Sequence, residues 1–165
     1  MRLTTVAMML LLATMATADT VLVEAEGFDE HGGWVLDPQF LDMMGSPYLM
    51  AHGLGHQVDN ARTTVTFAAP GTYRLWARTK DWVPEHHPGR FQVLVSGEAV
   101  DTTFGASGQG WAWEDGGAVE ISATEATVEL HDLTGFDGRC DALLFTTDME
   151  LAPPNEPGKK MTAWR

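Results

Sequence analysis

Past its first eighteen positions, this chain alternates apolar and polar residues with a period of two rather than 3.6. Short alternating or wholly apolar runs predict strands at Val21–Glu26, Thr63–Ala68, Thr72–Thr79, Arg90–Ser96, Ala118–Ser122, Thr127–His131 and Ala142–Thr146. Shorter ones fall near Trp34–Leu36, Tyr48–Met50 and Trp111–Trp113. Pro70-Gly71 and Ser96-Gly97-Glu98 are turns between neighbouring runs. Only Asp37–Met44 reads as helical, for one turn or two. Short strands at this spacing, punctuated by 17 Gly and 8 Pro, argue for an antiparallel sandwich. Two long connections interrupt it: 37–60, rich in Met, Gly and His, and 80–89, which reads Lys-Asp-Trp-Val-Pro-Glu-His-His-Pro-Gly. Loops held by a rigid sandwich carry binding groups more often than its strands do.

Met1–Ala18 departs from this pattern and reads as a secretory signal. Arg2 precedes an apolar stretch from Val6 to Ala16, and Ala16-Thr17-Ala18 is a small-residue cleavage site. The stretch is too short and too weakly flanked for a membrane anchor. The expected layout is a signal over 1–18, one sandwich domain over 19–148, and a Pro-rich tail or linker over 149–165. The expected location is secreted, periplasmic or extracellular. Without Arg2, nine Lys and Arg stand against 23 Asp and Glu, a formal charge of −14. Such a surface repels nucleic acid and anionic lipid. It also disfavours strongly anionic polysaccharides unless a local basic site or a bridging cation compensates. The single cysteine, Cys140, has no intrachain partner and reads as a small buried hydrophobe. A secreted domain without disulfides relies on its core, with or without help from a metal.

The two ends of the domain carry carboxylates in apolar surroundings. Glu24 and Glu26 alternate with Val23 and Ala25, and Asp141 precedes Leu143-Leu144-Phe145. If the first and last strands lie together, the three converge, and a hard cation such as Ca²⁺ relieves their repulsion. The alternative is that Glu24 and Glu26 form one solvated strand face. Of the six Trp, Trp76 reads as core. Trp111 and Trp113 share a face, in the core or at the sandwich edge. Trp34 lies near a rim, and Trp82, in a loop beside Asp81 with His86 and His87 nearby, is the foremost candidate for a ligand platform. A cap over the sandwich end is its alternative role. Tyr48 and Phe136 are weaker candidates, and Arg78 either binds a ligand or pairs with an acid. The chain has no Gly-x-Ser-x-Gly elbow, no His-Glu-x-x-His, no P-loop and no dinucleotide fingerprint. A zinc site from His52 and His56 is disfavoured by Gly53 and Gly55.

These motifs, in this order, resemble the galactose-binding-like β-sandwich carbohydrate-binding modules, especially families 6 and 35. Glu24-Ala25-Glu26 is similar to their opening strand. Pro70-Gly71-Thr72-Tyr73 and Trp76-Ala77-Arg78 match a turn and a strand ending in Arg. Phe91–Gly97 matches a strand closed by a Gly turn, and Trp111-Ala112-Trp113 a shortened Trp-rich segment. Ala126–Leu130 leads to a last strand reading Arg139-Cys140-Asp141-Ala142-Leu143. The likeness spans Val21 to about Thr146. Asp81-Trp82-Val83-Pro84 with Pro88–Val95 also resembles the noncatalytic module of secreted proteins described as FAD-dependent oxidoreductases or xanthan lyases. The resemblance implies a structural Ca²⁺ held by Glu24 or Glu26, or both, with Asp141, completed by backbone carbonyls near Trp34 to Met44. In the related modules an Asn stands where this chain has Arg139. A guanidinium there suits the carboxylate of a uronic acid, or pairs with Asp137 or Asp132.

The expectation is therefore an all-β, antiparallel jelly-roll sandwich that binds a polysaccharide or oligosaccharide without altering it. Its ligand residues are Trp82, Arg78, Tyr48, Arg139 and Trp34, placed at the loop end. One alternative is a structural or interaction module, or a fragment, of a larger secreted oxidoreductase or polysaccharide lyase, with a catalytic domain as partner. The other is a small lyase or hydrolase, with His87 as base beside Arg90. Neither nucleic acid nor membrane is an expected partner.

Overall fold

The computed structural model describes residues 18–155. The expected signal, Ala18 excepted, and the tail from Glu156, with Lys159, Lys160 and Trp164, lie outside the described residues.

Among the described residues ten strands form two antiparallel sheets. β1 (Thr20–Glu24), β2 (Val35–Asp37), β3 (Tyr48–His52), β5 (Gly71–Thr79), β8 (Ala112–Ile121) and β10 (Phe136–Thr146) make the larger one. Its order is β2-β3-β10-β5-β8, with β1 also on β10. The smaller sheet runs β4-β9-β6-β7, from Ala61–Thr66, Glu125–Asp132, Phe91–Val95 and Glu98–Ala99. The one helix among the described residues is α1, Leu41–Met44, inside the predicted helical stretch.

Alternation decides which side faces in. On β4, Ala61, Thr63 and Val65 are buried while Arg62, Thr64 and Thr66 are exposed. On β9, Ala126, Val128 and Leu130 face them across the ladder from the core side. The core between the sheets gathers Leu49, Leu75, Phe91, Val93, Phe104, Leu130, Leu143 and Phe145. β10 is different, because both of its faces are covered. Cys140, Leu143 and Phe145 enter that core, whereas Ala142 and Leu144 join Trp113, Leu22, Trp76 and Leu151 in a second cluster on the outer face of the larger sheet. A strand buried on both faces reads as a continuous apolar run, as this one does.

Three expectations change. β1 stops at Glu24 and a 3-10 turn, Ala25–Gly27, follows, so Glu26 does not share a strand face with Glu24. The two segments predicted at Trp111–Trp113 and Ala118–Ser122 are one ten-residue strand, β8. The tail is not free from residue 149. The Arg74 guanidinium donates to the Met149 carbonyl, Leu151 packs on the outer cluster, and Trp113 N–H donates to Asn155 Oδ1 at 2.7 Å.

Candidate functional site

Cys140 keys the register of the larger sheet. It lies opposite Leu49 of β3 and Thr79 of β5, and Thr79 lies opposite Ala112 of β8. Leu49 and Cys140 face the core, so Tyr48, Arg139 and Asp141 beside them turn to the outer face. Lys80 and Trp111 sit one residue beyond that row, where β5 and β8 enter their loops. The β2–β3 connection folds Phe40 over the same region.

The result is an aromatic wall around two cations. Trp111 meets Tyr48 at 4.8 Å and Phe40 at 5.8 Å between ring centroids. The Tyr48 hydroxyl donates to Asp37 Oδ2 at 2.6 Å, and burial together with this bond pushes the phenol up to about 12. The Lys80 ammonium lies 4.2 Å from the centre of Phe40, and the Arg139 guanidinium 5.1 Å from the centre of Trp82. Burial, then the charge of Arg139, lowers the Lys80 pKa. Arg139 is 7% exposed and donates from Nη1 to the Asp137 carbonyl at 2.7 Å. Trp82, 37% exposed, is pinned by its indole N–H to the Phe136 carbonyl at 3.1 Å. Phe136 itself is 51% exposed beside it. His52 bonds Asp137 Oδ1 at 2.6 Å and so ties β3 to the start of β10.

Four of the five ligand residues expected from sequence thus share this face: Trp82, Arg139, Tyr48 and Arg78. They differ in accessibility. Trp82 is open to solvent, whereas Tyr48 is fully buried behind Asp37 and Trp111. Arg78 is buried and ion-paired, with Nη1 at 3.7 Å from Asp141 Oδ2. Trp34 is a correction. It packs edge-on against Phe91, 5.6 Å between centroids, in the core between the sheets, and offers no face to a ligand. The Gly32-Gly33 turn that marked it as a rim residue instead lets the chain pass against Asp59 and Asn60 and drop the indole inward.

Arg78 also bears on the expected metal. Ala142 pairs with Glu24 on one side and Arg78 on the other, so the guanidinium stands on the stretch of sheet that carries Glu24 and Asp141. Burial lowers the Arg78 pKa, while the charges of Asp141 and Glu24 support it. A divalent ion there faces a fixed positive charge. Among the described residues no group of three or more His, Cys, Asp or Glu is arranged to hold a metal ion.

No protein-family model matches the sequence, and no curated protein matches it in sequence. Solved structures do match the fold. A family 35 carbohydrate-binding module from Clostridium thermocellum superposes with a TM-score of 0.61 at 18% identity, over 76% of this chain and 96% of that one. The C-terminal family 6 module of a laminarinase from Zobellia galactanivorans gives 0.56 at 18%, over 77% and 98%. The chain has the fold of these modules. A β-(1,4)-mannanase with a family 35 module, from Podospora anserina, gives 0.63 at 19% over 82% of this chain, which spans 29% of the mannanase.

On this module fold, a second polar constellation was not anticipated. Asp81, 2% exposed, accepts from the Gly108 N–H at 2.9 Å and bonds the His87 ring at 2.5 Å. Glu114 accepts from Gly105 N–H at 3.0 Å and from the Ser107 hydroxyl at 2.5 Å. Burial is the main cause raising the Glu114 pKa. The two carboxylates satisfy donors of the Gly105–Gly110 loop and hold it against the 80–90 loop. His87 is therefore engaged by Asp81, whereas the lyase alternative paired it with Arg90. Lys80, Phe40 and Trp111 were missed as members of this face. Their only sequence signal was position, at strand ends and in the long β2–β3 connection.

Proposed function

We propose that this protein is a secreted, noncatalytic carbohydrate-binding module whose ligand, a polysaccharide or its oligosaccharides, docks on the outer face around Trp82 and Arg139. The observation that carries this reading is Trp82: a half-exposed indole held rigid by the Phe136 carbonyl and the Arg139 guanidinium, with exposed Phe136 alongside. Sugars are bound by such aromatic faces against their ring C–H groups, with a few fixed polar groups for orientation. A rigid platform loses little entropy on binding. The likeness to carbohydrate-binding modules supports the reading at the level of fold. Among the described residues no helix is long and apolar enough to cross a membrane. The secretory reading rests on Met1–Ala18.

A glycan array probed with the domain from Asp19 and with Trp82→Ala tests it. Binding by the parent that falls at least about tenfold in the variant, with melting temperature kept within a few degrees, supports the module. A flat array for the parent overturns it and favours the second reading, a structural module of a larger secreted enzyme. The partial span of the mannanase supports that second reading.

Calcium at Glu24, Glu26 and Asp141 is a separate part of the proposal, supported by the resemblance and by Glu24 and Asp141 lying on paired strands. A melting temperature that rises with Ca²⁺ and falls with EDTA supports it. A melting temperature indifferent to both assigns charge neutralisation there to Arg78.

A further inference from the structure

Six Lys and Arg lie among the described residues, and three of them make ion pairs: Arg62 with Glu30 and Glu129, Arg74 with Asp115, and Arg78 with Asp141. The others are Arg90, exposed in solvent, and the neighbours Lys80 and Arg139. In a chain with 23 Asp and Glu against 10 Lys and Arg, two adjacent cations without a carboxylate partner stand out. The acids nearby are committed elsewhere. Asp37 accepts from the Tyr48 hydroxyl and the Gln39 N–H, Asp137 bonds His52, and Asp141 faces Arg78. What flanks the two cations is aromatic: Phe40 under Lys80, and Trp82 against Arg139. Arg139 is nine-tenths buried, and its Nε has no hydrogen-bond partner. With Arg139 buried and Lys80 half-buried beside it, the two like charges repel, and this arrangement costs stability unless something negative completes it.

We propose that Lys80 and Arg139 form a subsite for an anionic group on the sugar, a carboxylate or a sulfate ester, with the sugar ring seated on Trp82. The subsite rests on the carbohydrate reading of the same face and goes beyond it by naming the substrate class. A guanidinium offers paired N–H donors to such an oxyanion, and an ammonium supplies a second charge. The remainder of the acidic surface repels polyanions, so binding is confined to this face and is selective for short acidic stretches over densely charged chains.

Isothermal titration of the parent protein with oligogalacturonate, its methyl ester, a sulfated galactan oligomer and its desulfated form tests the subsite. The expected result is at least about tenfold tighter binding of an acidic member than of its neutral counterpart, and a loss of that margin in roughly 0.5 M sodium chloride. Which pair shows the margin separates carboxylate from sulfate. Lys80→Gln and Arg139→Gln are each expected to erase the margin, while Arg90→Gln, which removes an exposed cation outside the face, keeps it. Because Arg139 is buried, its variant is read only if its melting curve stays cooperative; Lys80→Gln carries the test otherwise. Equal binding of acidic and neutral oligomers by the parent overturns the subsite and leaves the carbohydrate reading standing. A margin that survives Lys80→Gln, or that Arg90→Gln abolishes as well, also overturns it. No binding of any oligomer overturns both.

Discussion

Arg74 and Asp115 form a two-bonded ion pair across the β5–β8 ladder, at 2.6 and 3.2 Å. The bond from Arg74 holds Asp115 below its ordinary value of 3.8. The unfolded chain therefore takes up that proton more readily than the folded one, so the contribution is present above about pH 4 and lost as pH falls through the folded value. Asp115→Asn keeps an acceptor for Gly117 but loses the charge. It is expected to lower the melting temperature at neutral pH and to match the parent near pH 2, which a pH series of thermal melts checks. Glu114 has the opposite sign. Its raised pKa makes its contribution largest at low pH and smaller as pH rises through the folded value. At this scale the sequence indicated Trp82 through its loop setting and Cys140 through its apolar run. It did not separate Trp34 from Trp82. Both follow turn-forming or polar residues, and only the opposite sheet, through Phe91, decides that one is covered.

Among the elements, the β6–β7 hairpin is the most legible. Ser96 and Gly97 both have positive φ, 51° and 86°, as a two-residue turn matched to strand twist requires. A Cβ at Gly97 meets nothing within 4 Å, so Gly97→Ala is expected to cost about 1 kcal/mol from backbone strain alone, seen as a lower denaturation midpoint. β8 was read as two strands, Trp111–Trp113 and Ala118–Ser122, with Gly116-Gly117 between them. Gly117 takes a positive φ of 79°, and Gly116 serves closeness. A Cβ at Gly116 would come within 2.9 Å of Leu75 and Phe104, so the strand continues where a side chain would not fit. The segment 149–155 was read as linker from its prolines, yet it covers Trp76 and Trp113 through Leu151. A chain stopped after Asp148 is expected to keep the sandwich, melt several degrees lower, and show red-shifted Trp emission. Unchanged emission would mean that the segment does not shield the ring pair.

For the molecule as a whole, β10 is the organising strand. It pairs with β1 and β3 in succession along one edge and with β5 along the other, so both ends of the domain depend on it. Phe145 is fully buried near its C-terminal end and meets Phe67 edge-on at 5.4 Å. Phe145→Ala is expected to cost about 3–5 kcal/mol, a large share of the roughly 5–15 kcal/mol that a domain of this size holds. That corresponds to a drop of about 10 °C in a thermal melt. The alternation of apolar residues, the turns and the run Ala142–Phe145 were enough to define an antiparallel sandwich, because period and turn chemistry are local properties of the chain; that its first and last strands lie together was only a condition in the sequence, and the β1–β10 pairing supplies it. The proposed binding face was not local. Lys80, Arg139, Phe40, Tyr48 and Trp111 come from separate segments, and they meet because the register at Cys140 sets four strands side by side. Which side chains then face water, and which cations find acids, depends on neighbours remote in sequence, and only the tertiary structure supplies those.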